Sequence, residues 1–166
     1  MSLEGLYRTY FVFTWRVLRH LGLPESALED AAQDVWLTVH RQLVRFEGRS
    51  THRTWLFGIA LNVARNHHRS ERRHPSGARS DANAPASCPS PEVRTDVQRS
   101  LGLVSEFLET LDEPRRVLFV THFLEGLTPA ESAEVLGIEV GLLYERIRRL
   151  RRALERWFQQ RSEGGR

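Results

Sequence analysis

The segment Thr128–Arg152, TPAESAEVLGIEVGLLYERIRRLRR, carries the most specific local pattern in this chain. Thr128 and Glu131 form a capping box and Pro129 stands at a first helical position, so a helix is predicted to begin there. Gly137 ends that short helix, and the turn that it starts leads into a long arginine-rich helix. A short capped helix, a tight turn and a basic helix together predict a helix-turn-helix, whose second helix enters the DNA major groove.

The two sides of the second helix differ in composition. Apolar residues that should face inward recur at helical spacing, namely Leu143, Ile147, Leu150, Leu154 and Phe158. The other side offers groove and phosphate contacts through Tyr144, Glu145, Arg146, Arg148, Arg149 and Arg152. A plain helical hairpin with a basic end would share part of this pattern. The helix-turn-helix is favoured because the cap, the turn and the charge agree.

Upstream of this motif, apolar residues keep a helical spacing nearly everywhere, so the chain is predicted to be all-α. The first helix should end near Gly22 and bury Leu6, Tyr10, Phe13 and Val17. The second should open with a capping box of Ser26 and Glu29 and bury Leu28, Ala32, Val35, Val39, Leu43 and Phe46. The third, capped by Ser50, should run to about Arg69 and bury Trp55, Leu56, Ile59 and Val63.

The composition changes between about Ser70 and Pro91, where proline, serine and alanine replace periodic apolar residues. Such a segment lacks the apolar surface that would offset the entropy of ordering, which is typical of a flexible linker. We therefore expect two small helical domains, residues 1–70 and 92–166, joined by a flexible linker over residues 71–91. The second domain is the one that contains the helix-turn-helix.

The net charge of the 166-residue chain is only +3, but the charge is segregated. Residues 49–80 hold seven arginines and one glutamate, residues 101–145 hold nine acids and two arginines, and residues 146–166 hold eight arginines and two glutamates. Two basic zones suggest two anionic contacts on one chain, although solvated surface charge is the plainer explanation. There is no apolar run of about 20 residues and no signal peptide pattern. We therefore expect a cytoplasmic protein without membrane insertion.

Two further surfaces are predicted in the first domain. One face of the second helix, distinct from its core stripe, carries Asp30, Gln33, Asp34, Leu37 and Arg41 and suits a protein partner. Next, a polar loop leads into a helix with a basic face, which suits single-stranded nucleic acid. The contact residues would be Phe46, Glu47, Gly48, Arg49, Ser50, His52, Arg53, Trp55, Asn62, Arg65, Asn66 and Arg69. Taken alone, each surface could be ordinary solvated charge, and Trp55 alone could be a core residue.

Two long stretches resemble one protein family. Leu28–Arg69, LEDAAQDVWLTVHRQLVRFEGRSTHRTWLFGIALNVARNHHR, resembles region two of bacterial sigma factors of the extracytoplasmic-function class. Leu111–Leu154, LDEPRRVLFVTHFLEGLTPAESAEVLGIEVGLLYERIRRLRRAL, resembles region four of the same family. With their supporting helices they account for nearly the whole chain except the linker and tail. The resemblance implies a transcription initiation factor that brings RNA polymerase to promoters and is not an enzyme.

The resemblance also implies a role for each surface. The face of the second helix would dock on core RNA polymerase. The loop Phe46–Arg53 would take a flipped base of the minus-ten element, and the melted strand would lie along Asn62, Asn66 and Arg69. The minus-thirty-five element, as duplex promoter DNA, would be read by Tyr144, Glu145, Arg148 and Arg149. An anti-sigma factor is implied as an antagonist, and no cofactor is expected.

The recognition helix departs from the family pattern, which usually begins Gly-Thr-Val and continues with a basic residue, Ser and Arg. Here Tyr144 and Glu145 stand among those positions. A carboxylate can only accept hydrogen bonds, and the exocyclic amine of cytosine is its natural partner in the major groove. The upstream preference should therefore differ from the usual one. Pairing of Glu145 with Arg148 or Arg149 at helical spacing is equally compatible with the sequence.

Other classes of function have less support. His67, His68 and His74 with Cys88 invite a metal site, but adjacent histidines on a helix point about 100° apart and cannot easily share an ion. The sequence carries no glycine-rich phosphate loop and no nucleophile elbow. The main alternative is a helix-turn-helix regulator that binds duplex DNA without polymerase and uses its first domain to sense or dimerise.

Overall fold

The structure, a computed structural model, describes residues 2–73 and 102–163, and every regular element in these two ranges is helical. The N-terminal domain contains α1 (Leu3–His20), α2 (Glu25–Gln42), a single 3-10 turn (Leu43–Arg45) and α3 (His52–Arg73). The C-terminal domain contains α4 (102–109), α5 (Glu113–Leu118), a π-helical turn (Phe119–Leu124), α6 (Pro129–Leu136) and α7 (Val140–Glu163). The all-α prediction with a C-terminal helix-turn-helix is confirmed.

Helices α1, α2 and α3 pack against one another around a single apolar core. Their predicted inward stripes are largely buried, including Leu6 in α1, Val35 in α2 and Ile59 in α3. The predicted inward stripe of α2 is too long, because α2 ends at Gln42 and the chain continues as a 3-10 turn. Beyond that end the helical periodicity no longer applies, and Leu43 and Phe46 are only half-buried.

Two predicted helix starts are wrong by one or two residues. Helix α2 begins at Glu25 with Pro24 as its N-cap and makes no side-chain cap hydrogen bond. Ser26 therefore already lies inside the first turn, where it cannot cap. Helix α3 is capped by Thr51, whose Oγ1 accepts a hydrogen bond from the backbone N–H of Thr54 at 3.1 Å, so Ser50 has no capping role.

The helix-turn-helix follows the prediction closely. The Thr128 hydroxyl and the Glu131 carboxylate form the reciprocal capping box, with Pro129 in the first turn of α6. Gly137 adopts the left-handed conformation, φ 64° and ψ 38°, which a residue with a Cβ rarely tolerates. The backbone N–H of Ile138 then donates to the carbonyl of Ala133 at 3.1 Å, and this hydrogen bond closes the turn.

The predicted inward face of α7 is confirmed at the start of the helix and is wrong near its end. Leu143, Ile147 and Leu150 are buried, but Phe158 is 44% exposed. Trp157 takes the inward position instead, with its ring 5.5 Å from that of Phe107. Near its end α7 thus packs on α4, and the register that this contact selects is one residue away from the predicted one.

The two domains are in contact. Helix α6 packs against α3, and the buried side chains of both domains form one continuous cluster. The predicted linker begins too early, because α3 continues to Arg73, and residues 74–91 lie outside the described residues. Within the described ranges no helix has the length and apolar composition to cross a membrane.

The neighbours Leu142 and Leu143 provide a matched test of this packing. Leu143 is fully buried in the C-terminal domain and Leu142 is 42% exposed. We expect Leu143→Ala to lower the free energy of unfolding by about 2–5 kcal/mol, since it removes buried methyl groups and leaves a cavity. Leu142→Ala should change it by about 0.5 kcal/mol or less. Urea titration followed by circular dichroism measures both, and equal effects would contradict this register of α7.

Candidate partner and nucleic-acid surfaces

The predicted partner face of α2 is exposed to solvent. Its residues occupy one side of the helix, opposite the buried stripe, and all are exposed: Asp30, Gln33, Asp34, Leu37 and Arg41. Leu37 is 46% exposed although it is apolar. The apolar core of α1, α2 and α3 does not include this face, so a polar surface with one apolar residue is left exposed.

A shallow groove separates this face from α3. It is lined from α2 by Asp34, Leu37, Thr38 and Arg41, and from α3 by Val63, Asn66 and His67. The ring Nε2 of His67 lies 3.1 Å from a carboxylate oxygen of Asp34 and ties the two helices together. Three residues predicted for a protein partner therefore share a groove with Asn66, which was predicted for DNA. The role of His67 was missed, because neither helix by itself shows that the two side chains meet.

The loop between α2 and α3 is held by an aromatic cluster. The ring of Phe46 lies 4.7 Å from that of Trp55 and 4.8 Å from that of His52, between centroids. Gly48 has φ 70°, so a residue with a side chain would be strained at the tip. The exposed part of the loop contains Glu47 and Arg49, whose charged groups pair at 2.5 Å. Phe46 and Trp55 thus anchor the loop, and its polar residues are presented to solvent.

The residues of α3 that were predicted to contact nucleic acid divide into two groups. Asn62, Asn66 and Arg69 are exposed on one side of the helix, as a nucleic-acid surface requires. Arg53 and Arg65 instead contact carboxylates of the C-terminal domain: Arg53 reaches Glu125 at 3.3 Å and Arg65 reaches Glu113 at 2.7 Å. The predicted minus-ten residues therefore do not form one continuous free surface in this arrangement.

The start of α7 presents its predicted groove residues outward. Tyr144 is 52% exposed, and the side chains of Glu145 and Arg149 are 57% and 78% exposed. Glu145 lies 3.3 Å from Arg149, which is the i,i+4 pairing that the sequence left open. Because both side chains are largely exposed, this ion pair contributes little to stability. A contact with DNA in the major groove could therefore replace it at a small cost in free energy. Arg148 and Arg152 are exposed as well, whereas Arg146 is half-buried.

Glu125 is a second residue whose role the sequence analysis does not predict. Its side chain is fully buried, and its ion-pair partners among the described residues, Arg16 and Arg53, come from the N-terminal domain, as does the nearby ring of His20. Arg16 donates to both carboxylate oxygens, at 3.0 and 2.7 Å, in the bidentate geometry typical of strong pairs. Arg53 donates to one of them, and the ring of His20 lies 3.7 Å from the other.

The electrostatics of Glu125 follow from this setting. Burial alone would raise the pKa of the carboxyl, but His20 and Arg16 outweigh it and lower the pKa to about 2. Glu125 is thus an anion at every physiological pH. The segregated charge of the sequence was a signal for this contact, because a basic zone and an acidic zone can attract each other as well as external ligands.

A second carboxylate joins the domains nearby. Glu131, the capping-box residue of α6, also accepts hydrogen bonds from Thr54 at 2.9 Å and Thr51 at 3.1 Å. Its pKa is lowered to about 2, chiefly by the hydrogen bond from the backbone of Thr128 and despite some desolvation. The cap of α6 is therefore connected directly to the cap of α3.

The histidines take separate partners. His67 contacts Asp34, and the ring Nε2 of His68 lies 3.1 Å from the carbonyl oxygen of Leu21. In the parts of the chain that the structure describes, no group of three potential ligands could hold a metal ion. His74 and Cys88, the other members of the metal hypothesis, lie outside those parts.

Comparison with known proteins matches both domains. Residues 6–74 match the model of Sigma-70 region 2, and residues 101–154 match that of Sigma-70, region 4. RNA polymerase sigma factor NccH of Alcaligenes xylosoxydans xylosoxydans is 30% identical over 141 residues, covering 82% of this chain and 75% of the relative. The ECF RNA polymerase sigma-E factor of Escherichia coli (strain K12) is 28% identical over 142 residues, covering 80% and 74%.

Solved structures agree with this. CnrH, in complex with the cytosolic domain of CnrY, is 25% identical with a TM-score of 0.69, covering 95% of this chain and 88% of that one. The sigma factor RpoE of Bartonella quintana, in complex with the anti-sigma factor NepR, shares the fold with a TM-score of 0.72 at 19% identity, covering 94% and 96%. The chain belongs to the sigma-70 family, in its extracytoplasmic-function class of RNA polymerase sigma factors.

Proposed function

We propose that this sigma factor divides its work among three surfaces. As a member of its family it is a transcription initiation factor that binds core RNA polymerase and directs it to promoters. The exposed face of α2 docks on polymerase, the loop before α3 together with α3 captures unpaired bases of the minus-ten element, and α7 reads the minus-thirty-five element as duplex. One observation supports this assignment: all three exposed polar surfaces lie within the residues that match sigma-70 regions 2 and 4.

The chemistry of these surfaces is that of binding. Polar side chains on α2 and arginines on α7 suit protein and phosphate contacts, and no surface requires a reaction step. We infer that the chain acts without catalysing a reaction of its own, and that it does so in the cytoplasm, where polymerase and promoter DNA are found.

The α2 face is suited to polymerase because its polar side chains are exposed and take no part in the buried core. Asp34 is exposed, and its only ionic contact among the described residues is with His67. Charged residues at the rim of an exposed apolar side chain, here Leu37, are typical of a protein interface. Reversal of one such charge should weaken docking without disturbing the buried stripe on the other side of α2.

We expect Asp34→Arg to reduce recovery of core polymerase at least severalfold in a pull-down, because the reversed charge would face a like charge on the partner, which costs on the order of several kcal/mol. Glu4→Arg makes the same charge change on an exposed site of α1 and serves as the control. Circular dichroism verifies that both variants are folded. Recovery of equal amounts of polymerase by Asp34→Arg and the control would show that this face does not dock.

The loop before α3 is suited to a flipped base because an aromatic cluster anchors its base and polar residues occupy its tip. The aromatic cluster holds Phe46 in place, and Arg49 and Ser50 follow at the turn that Gly48 permits. Extrusion of a base costs a few kcal/mol of unstacking, which a pocket can offset only for a base that it fits. This loop would therefore set minus-ten preference.

Replacement of residues 46–52 by the corresponding loop of a related sigma factor should change promoter choice. Start sites mapped after expression of the loop variant should shift toward those of the donor, since the bases accepted at the minus-ten element would change. A wild-type chain expressed at the same level is the reference. A start-site profile identical to the wild type would mean that the loop reads no base.

The start of α7 is suited to the upstream duplex because the helix-turn-helix holds it rigidly and leaves its first turns exposed. Glu145 is the unusual member, as an acceptor beside Tyr144 and among arginines. Its pairing with Arg149 is exposed at both ends, so the two side chains can separate when a base approaches.

We expect Glu145→Ser to alter base preference at one position of the upstream element, because a good base contact discriminates by about 1–3 kcal/mol. Selection from randomised duplex DNA, with wild type in parallel, measures this. Glu155→Ser, later on the same helix, is the control. If wild type and Glu145→Ser select the same bases at every position, Glu145 only pairs with Arg149.

An antagonist is part of the proposal. Both solved structures described above contain a second protein, the cytosolic domain of CnrY or the anti-sigma factor NepR. In this chain Val140, Leu142 and Tyr144 expose apolar surface at the start of α7, which a protein can cover better than DNA can. We infer that an anti-sigma factor binds this chain and competes there with promoter DNA.

A further inference from the structure

We propose that His67 is a positioning residue for polymerase docking, although it lies on α3 and outside the proposed docking face of α2. Its ring holds the carboxylate of Asp34 at the rim of the groove between the two helices. In that position one carboxylate oxygen is left to accept a hydrogen bond from a positively charged side chain of core polymerase. The inference rests on the proposed function, because it requires that Asp34 contacts polymerase.

The contact between His67 and Asp34 uses only part of the carboxylate. The ring Nε2 of His67 lies 3.1 Å from Oδ2 of Asp34. An ionised carboxylate can only accept a hydrogen bond, so Nε2 carries the proton and donates it. In the parts of the chain that the structure describes, no group donates to the other oxygen, Oδ1. The side chain of Asp34 is 57% exposed, so that oxygen is accessible to a partner.

His67 is the group that orients this carboxylate. An exposed aspartate without such a contact would exchange between rotamers. The nearby hydroxyl of Thr38 does not hold it, because that hydroxyl donates to the backbone carbonyl of Asp34 at 2.8 Å. A side chain that is already held in one rotamer loses less conformational entropy when a partner binds, so its contact is tighter.

The core of the N-terminal domain fixes α3 without help from His67. Val63 and Ala64, one turn earlier, are buried, and the ring of His68 reaches the carbonyl oxygen of Leu21 after α1. The two adjacent histidines therefore contact different segments. Because Asp34 is largely exposed, its contact with His67 adds little to the stability of the fold. The effect of His67 falls instead on the orientation of the carboxylate.

The groove beside His67 has room for one side chain of polymerase. It encloses about 190 Å³, less than the space of one helical turn, which is about 5.4 Å long and 10–12 Å wide. Leu37 and Val63 give it an apolar lining next to the carboxylate of Asp34. Arg41 lies about 10.5 Å further along α2, at seven residues of 1.5 Å each. An aliphatic stem that ends in a positive charge fits this order, as in arginine and lysine.

The test compares two amides that place their N–H groups at different distances from the backbone. The amide nitrogen of glutamine stands at the ε position, like Nε2 of histidine, whereas that of asparagine stands at the δ position. His67→Gln therefore keeps a donor for Asp34, and His67→Asn loses it. Thr9→Gln and Thr9→Asn make the same replacements at an exposed site of α1 and control for the general difference between the two amides.

Affinity for core polymerase is measured without DNA, by competition of each unlabelled full-length variant against labelled wild type. We expect His67→Asn to bind about three- to tenfold more weakly, the range for the loss of one hydrogen bond, and His67→Gln to stay within about twofold of wild type. Both Thr9 variants should bind like wild type. Circular dichroism establishes that each variant is folded.

A double-mutant cycle separates positioning from a structural role. If His67 acts through Asp34, its replacement has no further effect once the carboxylate is removed. Asp34→Ala and Asp34→Ala/His67→Asn should therefore bind polymerase equally, and both more weakly than wild type. A structural role of His67 would instead weaken binding by the same factor with and without the carboxylate.

Four results would overturn the inference. Wild-type affinity of His67→Asn would mean that His67 does not position the carboxylate, and tighter binding would mean that it competes with polymerase for it. Equally weak binding by His67→Gln and His67→Asn would exclude a hydrogen bond from the ε position, and an equal loss with and without the carboxylate would show a structural role. Failure of the docking face itself is recognised separately, as unchanged binding of Asp34→Ala.

Discussion

The buried negative charge of Glu125 is the constraint on which the arrangement of this protein depends. A carboxylate removed from water needs charged and hydrogen-bonded partners, and Arg16 supplies a bidentate pair. Because the partners belong to the other domain, neutralising this charge brings α1 and α3 against the C-terminal domain. The contact of α6 with α3 and the continuous apolar cluster follow from the same approach.

The contact between the domains divides the polar surface into a part that is paired across the contact and a part that is exposed to solvent. The basic side of α3 nearest the C-terminal domain is occupied by carboxylates, while the line of Asn62, Asn66 and Arg69 faces solvent. The partner face of α2 and the start of α7 also lie outside the contact and are exposed. The fold thus keeps the three surfaces proposed for polymerase and promoter DNA on separate helices.

Helical periodicity and caps in the sequence predict where the helices lie more accurately than where they begin and end. The capping box at Thr128 and Glu131 is as predicted, because a cap depends on residues three positions apart. The predicted starts of α2 and α3 are wrong, because Pro24 and Thr51 can begin a helix as well as the predicted caps can. Those predicted caps are Ser26 and Ser50. The end of α7 was misplaced because contact with Phe107, distant in sequence, selects Trp157 over Phe158.

The sequence by itself determined the all-α fold, the helix-turn-helix, the family and the exposed faces of α2 and α7, because helical periodicity, caps and long motifs are local properties. The tertiary structure alone decided which charges are paired. The sequence contains Glu125, Arg16 and Arg53 in separate segments with nothing local to join them, and the basic and acidic zones predicted external contacts as readily as internal ones. Only the packing of α6 against α3 brings these opposite charges within hydrogen-bonding distance, where burial makes their pairing obligatory.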